Sequence, residues 1–427
     1  MTKPTNNNMR EPWLTRNKIL CRLVLVLVIV IMTGLISACS SIMDERSQAK
    51  NIYSVQSAGI NAEVEPDPNF ASNMAAAGLR IRNWKTNFSL HTVPFEEIRE
   101  GGPPRDGIPP LDNPEFVTVE AVDQWPNPLR LLEPVILVEL NGDARAYPLQ
   151  IMTWHEIVND VVGGVPISVT FCPLCNSAIV FDRRLDGVVY DFGTSGNLRN
   201  SDLIMWDRQT ESWWQQFTGE AIIGDLAGKK LTFLSSSIIA WKDFRTANPS
   251  GKILDQETGF DRPYGNNPYA GYDRVDNPPF LFEGDLDGRL LPMERVMAFE
   301  SNESTFAFPF KILAEERVVN HSINGLDVVI FFDVEAESAF QDRSSKQYRS
   351  VGASGIFEPS VDGQKLTFKF YDERFVDEQT GSSWNILGEA REGPLSGKKM
   401  TSLIHADHFW FALGAFRPDI EIYQGRN

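Results

Sequence analysis

Histidine and cysteine are the scarce residues of this 427-residue chain, which has five of the first and four of the second. Cys21 and Cys39 fall in the N-terminal segment, so the rest of the chain holds Cys172 and Cys175 alone. Two sulfurs exclude a disulfide-stapled framework and a four-cysteine zinc site. Positive charge is also short: 40 Lys and Arg stand against 57 Asp and Glu, a formal net of −17. Lys3, Arg10, Arg16, Lys18 and Arg22, with Glu11, give the first 38 residues a net of +4, which leaves −21 on residues 39–427. So acidic a chain, with no basic stripe, is not built to bind nucleic acid. The charge suits solubility, with a preference for cationic ligands. There is no phosphate-binding loop, no dinucleotide fingerprint, and no Gly-x-Ser-x-Gly elbow around Ser195.

What is present begins with a leader. A basic stretch ends at Arg22, the apolar run "LVLVLVIVIMTGLI" comes next, and Ser37-Ala38-Cys39 closes it. The run is shorter than the roughly 18–20 residues a membrane helix needs. It fits a lipoprotein signal peptide over 1–38, with Cys39 acylated (palmitate among the chains) to become the new N-terminus. Ser40 fits outer-membrane sorting in a Gram-negative cell. The expected home is therefore the cell envelope, lipid-anchored and facing the periplasm, where a disulfide persists.

A hydrophobic share of 42% fits a packed globular chain of more than one domain. Residues 39–112 read as lipidated N-terminus, tether and extended arm, with "GGPPRDGIPPLDNP" as Pro/Gly punctuation. Asn141-Gly142 predicts a hairpin, "QIMTWHEIVNDV" a helix stopped by Gly163-Gly164, and "PISVTF" and "NSAIVFDRRL" strands. The second half then answers the first. "IVNDVVGGVPISVTF" matches "VVNHSINGLDVVIFF" at an offset of 161, "SAIVFDR" matches "SAFQDR", "FGTSG" matches "VGASG", and Trp214 matches Trp384. The fold expected is α+β and predominantly β. It is a tandem duplication of a β-rich lobe of about 130 residues with short helices. The first lobe, with the connecting segment 259–279, spans 113–290. The second, a degenerate repeat without cysteines, spans 291–427.

Cys172 and Cys175 stand in "TFCPLCNSAIVFDR", and three readings are open. As a dithiol/disulfide couple, Cys172 attacks and Cys175 resolves, with His155 and Arg183 as tuning groups, since no helix N-terminus comes after the pair to lower a thiol pKa. As a metal knuckle, the two sulfurs need two more ligands. Of His91, His155, His321, His405 and His408, the last two lie three apart, suited to one helical turn and a zinc or copper Cys2His2 site. As a bland clip, the pair stiffens a turn in a non-catalytic envelope scaffold. Asn176 is suited to the left-handed conformation such a turn needs. The pair Trp213-Trp214 reads as core packing.

The stretches "GGPPRDGIPPLDNPEF", "ARAYPLQIM", "HEIVND", "TFCPLCNSAIVFDR", "FGTSGNLRNSDLIMWDRQTESWWQQFTGEAI" and "RPYGNNPYAGYD" resemble domain-of-unknown-function family 3179, here in a bacterial lipoprotein member. The resemblance runs from about residue 100 to the end. Some members carry selenocysteine in the Cys-x-x-Cys-type motif, which implies redox chemistry at Cys172 and Cys175 with an unnamed thiol or redox partner. It implies no substrate and no required cofactor.

Overall fold

Asn141 and Gly142 both take positive φ, 51° and 79°. They join the strands Pro134–Leu140 and Asp143–Pro148 with Val135 opposite Pro148. The two-residue turn matches the right-handed twist of the strands it connects. This hairpin belongs to a computed structural model that describes residues 64–426, apart from Arg80, Glu303 and 342–347. The expected signal peptide, the acylated Cys39 and the first part of the tether lie outside the described residues.

The fold is mostly β, 40% strand and 14% helix, in several sheets with a few short helices. Three five-stranded sheets carry the first half. The central one orders the strands Thr232–Leu234, Ser177–Asp182, Val165–Cys172, Ile157–Val162 and Leu111–Asp112. Val158, Val169 and Val180 lie side by side across it, all fully buried, each contributing about 1.5–3 kcal/mol by leaving water. A second sheet runs from Ile98–Glu100 through Phe192–Arg199, Asp202–Asp207 and Trp213–Gln215 to Glu220–Ile223.

The second half uses the same order of elements. Val319, Ile330 and Ile356 stand side by side as the three valines do. Asn159 exchanges two hydrogen bonds with the backbone of Phe192, at 2.8 and 3.1 Å. Asn320 does the same with Phe368, at 2.7 and 2.9 Å. These contacts correct the expected alignment. "SAIVFD" corresponds to the strand Ala353–Glu358, not to "SAFQDR", and Phe192 corresponds to Phe368, so "FGTSG" and "VGASG" are not equivalent. An excursion over 334–352 in the second half displaced the sequence match; part of it, 342–347, lies outside the described residues.

Three further expectations change. The helix starting at Leu149 ends at His155, because Glu156 turns left-handed (φ 59°) and Ile157–Val162 pairs as a strand. Ile157 and Val158, which fit a helical face by spacing, are strand residues. Residues 70–98 are no tether: Met74, Phe88, Phe95 and Ile98 are buried with Trp206 and Trp213. Nor do the halves keep separate cores. Val135, Trp241 and Phe244 share one apolar cluster with Phe331, Phe357 and Trp384, and the sheet residues Val169 and Val180 share another with Val296 and Trp410.

Candidate functional site

The strand Val165–Cys172 ends at the first cysteine, and Pro173–Cys175 makes a single 3-10 turn. Pro173, with φ fixed and no N–H to satisfy, starts that turn at no cost. Asn176 then takes φ 52°, the left-handed residue the sequence promised, and returns the chain into Ser177–Asp182 with Cys172 opposite Ser177. The tight turn throws both sulfurs to one side. Cys172 is 2% exposed and Cys175 0%, and both are free thiols.

The partner that meets them was not singled out from the sequence. One carboxylate oxygen of Asp202 and both sulfurs lie within 4.8 Å of one another, the only such grouping of ligand-bearing residues among the described residues. Asp202 opens a strand after Asn200 and Ser201, both at positive φ (50° and 66°), the conformation of a two-residue hairpin turn. Gln215 Nε2 at 2.6 Å and the Phe217 N–H at 2.9 Å hold its Oδ2. Its Oδ1 is buried without a nitrogen or oxygen partner among the described residues, and the two thiols turn towards the carboxylate. The Cys172 thiol donates weakly to the Ser201 carbonyl, at 3.8 Å. A signal did exist in the sequence, "NSD" heading a strand, but its meaning depends on what the turn faces.

Glu156 is the second acid. Its backbone is fixed on both sides, N–H to Met152 O and carbonyl from Phe171 N–H, each at 2.8 Å. Its Oε1 accepts from Tyr269 at 3.2 Å. Burial governs the electrostatics of the whole group. It pushes Glu156 up to about 8 and Asp202 up to about 7. It raises Cys172, with Asp202 and Glu156 adding to the shift, and raises Cys175 further, with Cys172 and Asp202 adding. The thiols are therefore held protonated at rest, contrary to the expected activation by neighbouring cations.

A cleft of about 690 Å³ is lined by Glu156, Leu174 and Leu203 among others, with Cys172, Cys175 and Asp202 behind this lining rather than in it. The connecting segment, with Phe280 just after it, covers the cleft through Tyr269, Tyr272 and Phe280. Tyr272 accepts from the Phe280 N–H at 3.1 Å, and Ser201 Oγ donates to the Phe280 carbonyl. The cover thus ties directly to the turn that positions Asp202. Below it, Asp273 is buried in ion pairs with Arg295, at 2.5 Å, and Arg349.

The other expected site residues lie elsewhere. His155 is occupied at both nitrogens, by Pro109 O at 2.7 Å and Tyr264 Oη at 2.6 Å. Burial lowers its pKa to about 4. Arg183 binds Asp191, Tyr190 O and Asp160 O at the far end of the cysteine hairpin. That is about 20 Å along the strand at 3.3 Å per residue. His405 and His408 sit in a strand, not a helical turn, so a spacing of three sends their side chains to opposite faces. His405 faces Leu403 O at 3.0 Å. His408 lies against Phe217 with the ring centroids 4.4 Å apart and the planes tilted by 35°, and it is not a member of the sulfur–carboxylate group. The Cys2His2 arrangement is therefore not assembled.

A family model described as protein of unknown function (DUF3179) matches residues 105–420. The chain belongs to that family. No curated protein and no solved structure matches it. In this DUF3179 chain the matched span takes in the cysteine turn, Asp202, Glu156 and the covering segment.

Proposed function

We propose that Cys172 and Cys175 form a dithiol/disulfide couple, with Asp202 as the group placed to take and return a proton, in a lipid-anchored protein of the cell envelope. The observation that carries this reading is two free thiols and a buried carboxylate within 4.8 Å of one another, with Cys175 and Asp202 next in the chain to Leu174 and Leu203, which line a cleft. Cys172 is the attacking sulfur, because it is the less completely buried of the two, 2% exposed against 0%, and the thiolate it forms is the nucleophile. With a disulfide RSSR as acceptor, Cys172 loses its proton to Asp202 and attacks one sulfur. The R–S–S–R bond breaks, and one RS⁻ leaves and is protonated. Cys175 then attacks Cys172 in the mixed disulfide and expels the second RSH. In total RSSR and two thiols become two RSH and one Cys172–Cys175 disulfide.

Trapping tests the assignment. The Cys175→Ser variant of the full chain in detergent, given a small disulfide, should accumulate a mixed disulfide on Cys172, read as added mass and reversed by reductant. The Cys172→Ser variant should accumulate far less. Equal trapping at both positions, or none at either, would overturn the order of attack and with it the proposal.

A further inference from the structure

Three donors converge where no positive partner acts on them among the described residues. Cys172, Cys175 and Asp202 bring two sulfurs and a carboxylate oxygen within 4.8 Å, all but fully buried. Glu156 adds a second carboxyl group whose field reaches Cys172 and Asp202. The leading charged influences on these four groups are the groups themselves. Buried charge is tolerated when it is paired or holds a metal. Here the second observation is Oδ1 of Asp202, fully buried and without a nitrogen or oxygen partner among the described residues, so that only the two thiols turn towards the carboxylate beyond Gln215 and Phe217, which anchor Oδ2.

We infer that the reduced site binds one thiophilic divalent cation of the zinc type through Cys172, Cys175 and Asp202. Two sulfurs select such an ion over magnesium or calcium, and a turn of this kind is rigid enough to present both. Binding displaces the two thiol protons, and the Asp202 proton where present, so affinity rises with pH. Three protein ligands leave a tetrahedral ion one position short, as in zinc sites that bind a further ligand. The inference goes beyond the redox reading. The same sulfurs either hold the ion or form the disulfide, so oxidation of the pair releases the ion and the ion protects the pair.

The test is zinc alone, added to the reduced full chain in detergent, followed by gel filtration, metal analysis and native mass. One zinc per chain is expected in the parent. Cys172→Ser and Cys175→Ser should lose it, and Asp202→Asn should bind about 10–100-fold more weakly, with near-UV circular dichroism unchanged. His408→Ala should bind as the parent does. Oxidation with a small disulfide should release the zinc in parallel with loss of two alkylatable thiols. Retained binding after oxidation, binding untouched by Asp202→Asn, or no zinc on the reduced parent would each overturn the inference. The disulfide count is read in the same samples without zinc, so failure of the redox reading registers separately.

Discussion

The two halves share a frame and differ at each position of the site. Asp207 accepts from Thr210 N–H and Trp214 Nε1 at 2.6 and 2.9 Å, and Asp377 accepts from Thr380 N–H and Trp384 Nε1 at 2.6 and 3.0 Å. Left-handed Glu156 corresponds to left-handed Arg317, at φ 59° and 62°. Beyond the frame the chemistry diverges. Cys172, which ends its strand, has Asp333 as counterpart. The short Cys-Pro-Leu-Cys turn is replaced by the excursion 334–352. The first residue after the next hairpin turn is buried Asp202 in one half and exposed Arg374 in the other. Both acids of the site become arginines. The frame therefore does not require the site, and the site depends on positions the frame leaves open.

The largest expected effect separates the two most sharply. Cys172→Ser or Cys175→Ser should abolish the thiol couple entirely, at a cost of about 1–3 kcal/mol in stability, because a hydroxyl replaces a thiol in the apolar core. Intact-mass thiol counting and thermal unfolding check this together. Next come the shared networks. Asp207→Ala and Asp377→Ala should each cost about 3 kcal/mol, because each strands a buried indole N–H and backbone donors. Chemical denaturation showing a large loss in one half alone would break the equivalence. Asn159→Ala should cost about 2 kcal/mol and Asn320→Ala less, since Asn159 is 3% exposed and Asn320 faces solvent.

The smallest effect concerns pH. Burial raises Asp243 in the first half to about 7 and Asp407 in the second to about 6. A folded pKa above the unfolded value means the native state holds the extra proton. The contribution is full below about pH 4 and disappears as pH rises through 6–7. Asp407→Asn should therefore gain about 1 kcal/mol at pH 8 relative to the parent and nothing at pH 4. Asp143 has the opposite sign. Arg145, the Gly163 N–H and Lys252 hold it down to about 2, so its contribution is present above pH 4 and lost as pH falls towards 2. A Tm series in the Asp407→Asn variant that parallels the parent at all pH values would contradict the Asp407 assignment.

The cysteine turn was legible from its residues: Pro173 to start it, Asn176 to close it, and strand alternation on both sides. The Asn141-Gly142 hairpin was equally plain. The helix boundary was not, because Ile157 and Val158 satisfy both a helical stripe and a strand, and the left-handed Glu156 just before them leaves no pattern in the sequence. The repeat alignment failed past Asp333, where the inserted excursion placed "SAFQDR" by coincidence where "SAIVFDR" was expected. Asp202 was missed for a different reason. It lies 27 residues after Cys175 in the chain, and only the packing of one sheet against another brings them together. The histidines misled because spacing alone does not distinguish a helical turn, which would have joined His405 and His408, from the strand that separates them.

The chemistry of the first half turns on whether the two cysteines work as a couple. The most direct measurement is the number of alkylatable thiols at Cys172 and Cys175, by intact mass of the full chain equilibrated without metal across a series of thiol/disulfide buffers. The account predicts that both thiols disappear together in one two-electron transition, restored by reductant and absent in the Cys172→Ser variant. Two thiols that stay alkylatable after unfolding in the most oxidising buffer would contradict it.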